Sequence, residues 1–228
     1  MLARDRFLPP RALTRRARWS GSLLVLALLA TTPSVGAQAG GEPPRSVTVT
    51  ELLRSIRLAD KGALAVSEED GRFLQLLVAA TGARRVLEIG GASGYSAIWM
   101  GLGLRETRGE LITIESDASR AREASANVAK AKLGDIVRVV AGDAFVEIPR
   151  LAGGFDLVFL DAWKPDYKKF FDLAFPKLRP GGLFLAHNVT NKKREMPDFL
   201  RAIAEHPQTL STVVSPGSEG ISMTYKKR

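Results

Sequence analysis

A chain of 228 residues with 45% hydrophobic content is long enough for one domain with a sizeable core. The absence of cysteine excludes disulfides, thiol catalysis and cysteine zinc sites. The net charge of +9 does not imply a nucleic-acid partner, because residues 1–39 hold six arginines against one aspartate and the remaining excess is not gathered in one run.

In chain order, Arg4, Arg6, Arg11, Arg15, Arg16 and Arg18 precede an uncharged run from Trp19 to Gly41 whose apolar centre is Leu23 to Ala30. Ala37-Gln38-Ala39 supplies a small-x-small cleavage site. A basic start, a short apolar centre and this site predict a secretory signal peptide over 1–39, with an N-terminal membrane anchor as the alternative. The apolar centre falls short of the roughly 20 residues of a spanning helix. Export is therefore the expected location, membrane attachment through the leader the alternative, and 40–228 the functional domain. Gly40 to Arg45 reads as a linker.

Two amphipathic helices are predicted over Val47–Ala59 and Ser67–Thr81, the second capped by Ser67 with Glu69 and Asp70 in its first turn. Next comes VLEIGGASGYSAIWM, Val86 to Met100. A strand over Arg85–Ile89 enters a turn at Gly90-Gly91, and a helix over Ser93–Leu104 leaves it. Backbone can approach a ligand closely at such glycines, and the helix start offers free N–H groups. The dinucleotide pattern G-x-G-x-x-G is broken at Ala92, which disfavours an NAD-type oxidoreductase. Glu88, Gly90 and Gly94 instead form E-x-G-x-x-x-G. This stretch resembles the first motif of S-adenosylmethionine-dependent methyltransferases, and EIGxxxGYSA resembles the cation-dependent O-methyltransferases that include catechol and caffeoyl-CoA O-methyltransferases. The resemblance implies cofactor contacts from Glu88, Gly90, Gly91 and Ser96.

Strand and helix patterns then alternate: strand Glu110–Glu115, helix Ser119–Lys132, strand Ile136–Ala141, helix Ala144–Leu151, strand Phe155–Leu160, helix Tyr167–Leu178, strand Leu183–Ala186, helix Glu195–Glu205. Parallel strands with right-handed crossovers follow, hence a doubly wound, Rossmann-like α/β fold. Leu210–Val214 and Ile221–Tyr225 flank a turn without an intervening helix, which predicts a hairpin-like pair and one antiparallel C-terminal strand in a mostly parallel seven-stranded sheet.

Glu115 ends its strand where a carboxylate can accept the hydrogen bonds of two ribose hydroxyls, and Ser116 adjoins it. By the resemblance, Asp143 and Ala144 border the adenine. The stretch FDLVFLDAWKPDY, Phe155 to Tyr167, carries Asp161 to the carboxyl edge of the sheet with Lys164 three residues on. It resembles the D-x-W-K-x-x-Y of catechol O-methyltransferases. That implies Asp161 as a metal ligand that also borders the cofactor, Lys164 as general base, and Trp163 packed on the adenine.

After Pro180-Gly181-Gly182, His187-Asn188 stands where the resembled family has Asp-Asn. The implied metal set is thus Asp161, His187 and Asn188, for Mg²⁺ or, because imidazole suits softer ions, a transition ion. Glu219 aligns with an acid presented to a substrate hydroxyl, and Lys164 and Asn188 also face the substrate. The expected function is O-methylation of a small, hydroxylated, catechol-like aromatic, with a homodimer implied by the family. The alternative is a non-catalytic S-adenosylmethionine-binding protein with an altered metal site.

Overall fold

The computed structural model describes residues 48–60 and 64–228. The predicted leader lies outside them. No described helix is long and apolar enough to cross a membrane.

Helices α1 (Val49–Ala59) and α2 (Glu68–Thr81) precede an alternating series. It comprises β1 (Arg85–Ile89), α3 (Tyr95–Thr107), β2 (Glu110–Glu115), α4 (Ala118–Lys130), β3 (Val137–Ala141), α5 (Ala144–Arg150), β4 (Phe155–Leu160), α6 (Tyr167–Ala174), β5 (Leu178–His187) and α7 (Pro197–Glu205). Strands β6 (Thr209–Val214) and β7 (Ile221–Lys226) close the chain. The seven strands lie in the order β3-β2-β1-β4-β5-β7-β6, with β7 antiparallel to both of its neighbours. The expected α/β class and the reversed C-terminal strand are both present.

The predicted Ser67 cap is present, and two further caps join it. Thr48 and Glu51 form a reciprocal capping box on α1, Ser67 accepts from Asp70 N at the head of α2, and Asp117 caps α4. Alternate residues of the strands face opposite layers. Val86, Leu111, Leu157 and Leu185 pack with α1 to α4, whereas Leu87, Ile112, Val158 and Phe184 pack with α5 to α7.

Most boundaries shift from expectation, and three of the shifts bear on the site side of the sheet. Helix α6 stops at Ala174, where Pro176 converts its continuation into a 3-10 turn over Phe175–Lys177. Strand β5 runs from Leu178 through the Pro-Gly-Gly sequence, with a register irregularity between Phe155 and Leu157 on its partner, and reaches His187. The residues 193–195 form a 3-10 turn, so α7 begins only at Pro197.

Candidate functional site

The carboxyl ends of β1, β2, β4 and β5 open on one cavity of about 650 Å³, within the ordinary range for a small-ligand site. Of the residues singled out from sequence, Gly90, Glu115, Ser116, Asp143, Ala144, Asp161, Trp163, Lys164, His187, Asn188 and Glu219 line it. Glu88, Gly91 and Ser96 lie behind the lining.

The glycine turn is shaped first by its own neighbours. Gly90 has φ +97°, and a Cβ there would collide with the Asp161 carbonyl oxygen; at Gly91 it would collide with Thr113 Oγ1. These glycines therefore let β1 pack against β4 and β2 at the floor of the cavity. Glu115 holds the next part of the turn, accepting from Ala92 N and Asp117 N, each at 2.8 Å. Each of its oxygens retains acceptor capacity for a ligand hydroxyl.

Glu88 is fully buried, accepts from Ser96 Oγ, and has Oε2 without a hydrogen-bond partner. Desolvation pushes its pKa up to about 7, opposed by hydrogen bonding from Ser96 and the nearby Thr113 hydroxyl and helped by the charges of Asp161 and Glu115. An orphaned buried acceptor beside the turn, with Glu115 at its rim, suits the positively charged and hydroxyl-rich S-adenosylmethionine. One consequence is testable without ligand. Because the folded pKa exceeds the unfolded 4.5, the folded state binds the extra proton, and stability falls as pH rises from 4.5 through about 7. Glu88→Gln should shrink the fall between urea midpoints measured at pH 5 and pH 8 by on the order of 3 kcal/mol at most, leaving the part that His187, with its own raised pKa, contributes above pH 6.5.

On the far wall, Lys164 Nζ donates to Asp161 Oδ1 at 2.7 Å, both side chains being largely buried. Burial raises the Asp161 pKa, but hydrogen bonding and charge from His187, then Lys164, outweigh it and leave the carboxyl below its usual value. Tyr167 places its hydroxyl 3.3 Å from the Leu160 carbonyl and 3.2 Å from the His187 carbonyl, tying the ends of β4 and β5 together. Trp163 is 70% exposed at the cavity mouth. Phe145 and Phe170, not anticipated from sequence, stack at 4.4 Å and 15° and line the cavity next to Ala144.

His187 is 2% exposed and meets three acids. Its Nδ1 lies 3.2 Å from Asp161 Oδ2, and its Nε2 lies 3.2 Å from Asp70 Oδ2 and 3.3 Å from Glu219 Oε2. Burial alone would lower its pKa, but bonding to Asp161 and Asp70, with the charges of Asp161 and Glu219, pushes it up to about 9. Asp70 was read from sequence only as a first-turn helix acid. It is wholly buried, and it accepts from Ser67 Oγ at 2.7 Å and Gly217 N at 2.9 Å. Nothing in its local pattern separates it from an ordinary capping acid; only the fold brings it to His187.

Asn188 follows in the left-handed region at φ +62°, which asparagine tolerates. The set Asp161, His187 and Asn188 therefore sits together but does not offer what magnesium needs. One member is an imidazole with acids at both nitrogens, and Asp161 Oδ1 is engaged by Lys164.

A family profile described as O-methyltransferase matches residues 43–198. A catechol O-methyltransferase of Niastella koreensis is 42% identical over 138 residues, 58% of this chain and 62% of that protein. One of Mycobacterium tuberculosis is 41% identical over 132 residues, 58% of this chain and 60% of that protein. The chain thus spans about three fifths of these relatives' length. The crystal structure of an O-methyltransferase from Bacillus cereus in complex with SAH superposes with a TM-score of 0.70 at 33% identity, covering 81% of this chain and 93% of that one.

Proposed function

The chain belongs to the O-methyltransferase family, and from that premise we propose that it transfers the methyl group of S-adenosylmethionine to a hydroxyl of a small catechol-like aromatic. One observation carries this reading: a single cavity has ribose- and adenine-suited groups, Glu115, Asp143, Ala144 and Phe145, on one side and the Asp161–Lys164 pair with His187, Asn188 and Glu219 on the other. The bound structure named for the Bacillus cereus relative and the names of the two catechol relatives support it.

When bound, S-adenosylmethionine supplies an electrophilic methyl whose bond to sulfur breaks as the new oxygen–carbon bond forms. This chain's residues have to align and deprotonate the acceptor hydroxyl. Lys164 Nζ takes the hydroxyl proton after giving up one of its own. Asp161 fixes that amine in place through the 2.7 Å contact. Glu219, 32% exposed at its side chain, accepts from the second hydroxyl of a catechol, and Asn188 offers an amide to the same oxygens. If the leader is as read, these acceptors are met outside the cytoplasm.

Glu115→Gln tests the cofactor side. It exchanges a charged acceptor for an amide, and charged hydrogen bonds are worth about 1.5–3 kcal/mol. Calorimetry should show S-adenosylmethionine binding weakened by about 10- to 100-fold, with the fold retained by circular dichroism. Unchanged binding would remove Glu115 from the ribose role. On the acceptor side, turnover with caffeate or dihydroxybenzoate but not with their monohydroxy analogues is expected; equal turnover of both would refute catechol selectivity.

A further inference from the structure

Two carboxylates from distant parts of the chain meet one nitrogen of a buried ring. Asp70 Oδ2, from the first turn of α2, lies 3.2 Å from His187 Nε2, and Glu219 Oε2, from the loop between β6 and β7, lies 3.3 Å from it. The three atoms all fall within 4.8 Å of one another. Two ligands held about 2.0–2.2 Å from one ion, at angles between octahedral and tetrahedral, stand about 2.8–3.6 Å apart. Both separations from Nε2 fall inside that range.

The other face of the ring makes the case from chemistry. His187 is 2% exposed, and its Nδ1 lies 3.2 Å from Asp161 Oδ2 without completing a hydrogen bond. A neutral imidazole carries one N–H and one lone pair. With the N–H at Nδ1, toward Asp161, the Nε2 lone pair is aimed at Asp70 and Glu219, acceptor toward acceptors, which is costly away from water. Charge points the same way. Asp70, Asp161 and Glu219 bring three negative charges to the ring and Lys164 brings one positive charge, so two negative charges are left over. A divalent cation at Nε2 answers both the lone pair and that excess.

The donors are held from behind. Asp70 Oδ1 accepts from Gly217 N at 2.9 Å and its Oδ2 from Ser67 Oγ at 2.7 Å, while Oδ2 keeps a further lone pair. Asp161 stands at Nδ1 as carboxylates do behind metal-bound histidines, which give their second N–H to such a partner. Glu219 Oε1 accepts from the Asn191 amide at 3.3 Å and keeps capacity for an acceptor hydroxyl.

We propose that this chain binds a divalent transition ion through His187 Nε2, Asp70 and Glu219, at the ring nitrogen turned away from Asp161, with neither Asp161 nor Asn188 as a ligand. One imidazole and two carboxylates suit Zn²⁺ or Co²⁺ better than Mg²⁺, which prefers oxygen donors alone. The site ties α2, the end of β5 and the β6–β7 loop together, and His187 and Glu219 bring it to the cavity wall. It goes beyond the methyl-transfer reading, and its test needs no turnover.

The untagged full chain, stripped with EDTA, is titrated with Co²⁺ and followed by visible absorption, with Zn²⁺ and Mg²⁺ as competitors. One Co²⁺ should bind per chain; an equivalent of Zn²⁺ should displace it, and about a 100-fold excess of Mg²⁺ should not. Glu219→Gln and Asp70→Asn should each weaken Co²⁺ binding by at least about 100-fold, beyond the 10- to 100-fold cost of losing an outer partner. Asn188→Gly keeps the left-handed backbone and should bind within about 3-fold of the wild type. Should Asp70→Asn fail to fold by circular dichroism, Glu219→Gln, in a loop and 32% exposed at its side chain, carries the comparison.

Absence of stoichiometric Co²⁺ binding by the wild type would overturn the proposal, leaving a ring proton as the link between the acids. So would binding that survives either acid substitution in a folded chain, binding lost in Asn188→Gly, or displacement of Co²⁺ by an equal amount of Mg²⁺. Because every readout is binding, failure of methyl transfer leaves this result untouched.

Discussion

Lys164→Ala is expected to lower kcat by about 10²- to 10⁴-fold, the range for losing a positioned acid–base group, while S-adenosylmethionine affinity changes little. Lys164 opens a 3-10 turn, Lys164–Asp166, directly after the strand that delivers Asp161, so the two side chains meet at 2.7 Å without a long flexible reach. The Nζ also sits 5.2 Å from the centre of the Tyr167 ring, which limits its freedom on another side. Lys164→Arg separates two roles. Arginine can keep the charge and the pairing with Asp161 but cannot give up its proton at ordinary pH. Single-turnover rates for the two variants should therefore fall together. Retained activity in Lys164→Arg alone would mean that the position contributes charge and not proton acceptance.

Gly90→Ala should reduce both stability and activity. Its φ of +97° is poorly tolerated by any side chain, and the added Cβ would meet the Asp161 carbonyl oxygen, with Ala162 Cα only 3.1 Å away. Backbone strain and overpacking each cost about 1–3 kcal/mol, so urea unfolding should show a loss on the order of 3 kcal/mol. Gly82→Ala is the control. Gly82 has φ +66° with nothing within 4 Å of an added Cβ, so it should incur the backbone term alone, about 1 kcal/mol. Activity should separate the pair further. Displacing Asp161 disturbs both Lys164 and His187, whereas Gly82 ends α2 remote from the cavity. Equal effects of the two substitutions would refute the collision.

Much of this was legible beforehand because local chemistry and global fold agree. Arg85–Ile89, Glu110–Glu115 and Phe155–Leu160 were readable to the residue, since each is an apolar run stopped by a glycine or acid at the sheet edge. Strand β5 was underestimated because Pro180-Gly181-Gly182 reads as a turn; β7 pairs only from Leu183 onward, leaving the glycine-rich start at the sheet's end. The cavity residues at strand ends could be anticipated, as doubly wound sheets bind ligands there. Asp70 could not. It lies 117 positions from His187, and its neighbourhood is indistinguishable from a helix cap until α2 folds over the edge of β5. Phe145 and Phe170 were likewise hidden, their stacking being a meeting of two helices separated by β4.

The proposed reaction moves a methyl group from sulfur to a catechol oxygen within this cavity. Its most direct test is to incubate the full chain with S-adenosylmethionine bearing a trideuterated methyl group and caffeate, and to analyse the aromatic product by mass spectrometry. The expected product has one hydroxyl hydrogen replaced by the intact labelled methyl, formed by the wild type and at least about 100-fold more slowly by Lys164→Ala. Measurable S-adenosylmethionine binding with no labelled product from caffeate, dihydroxybenzoate or catechol itself would contradict it.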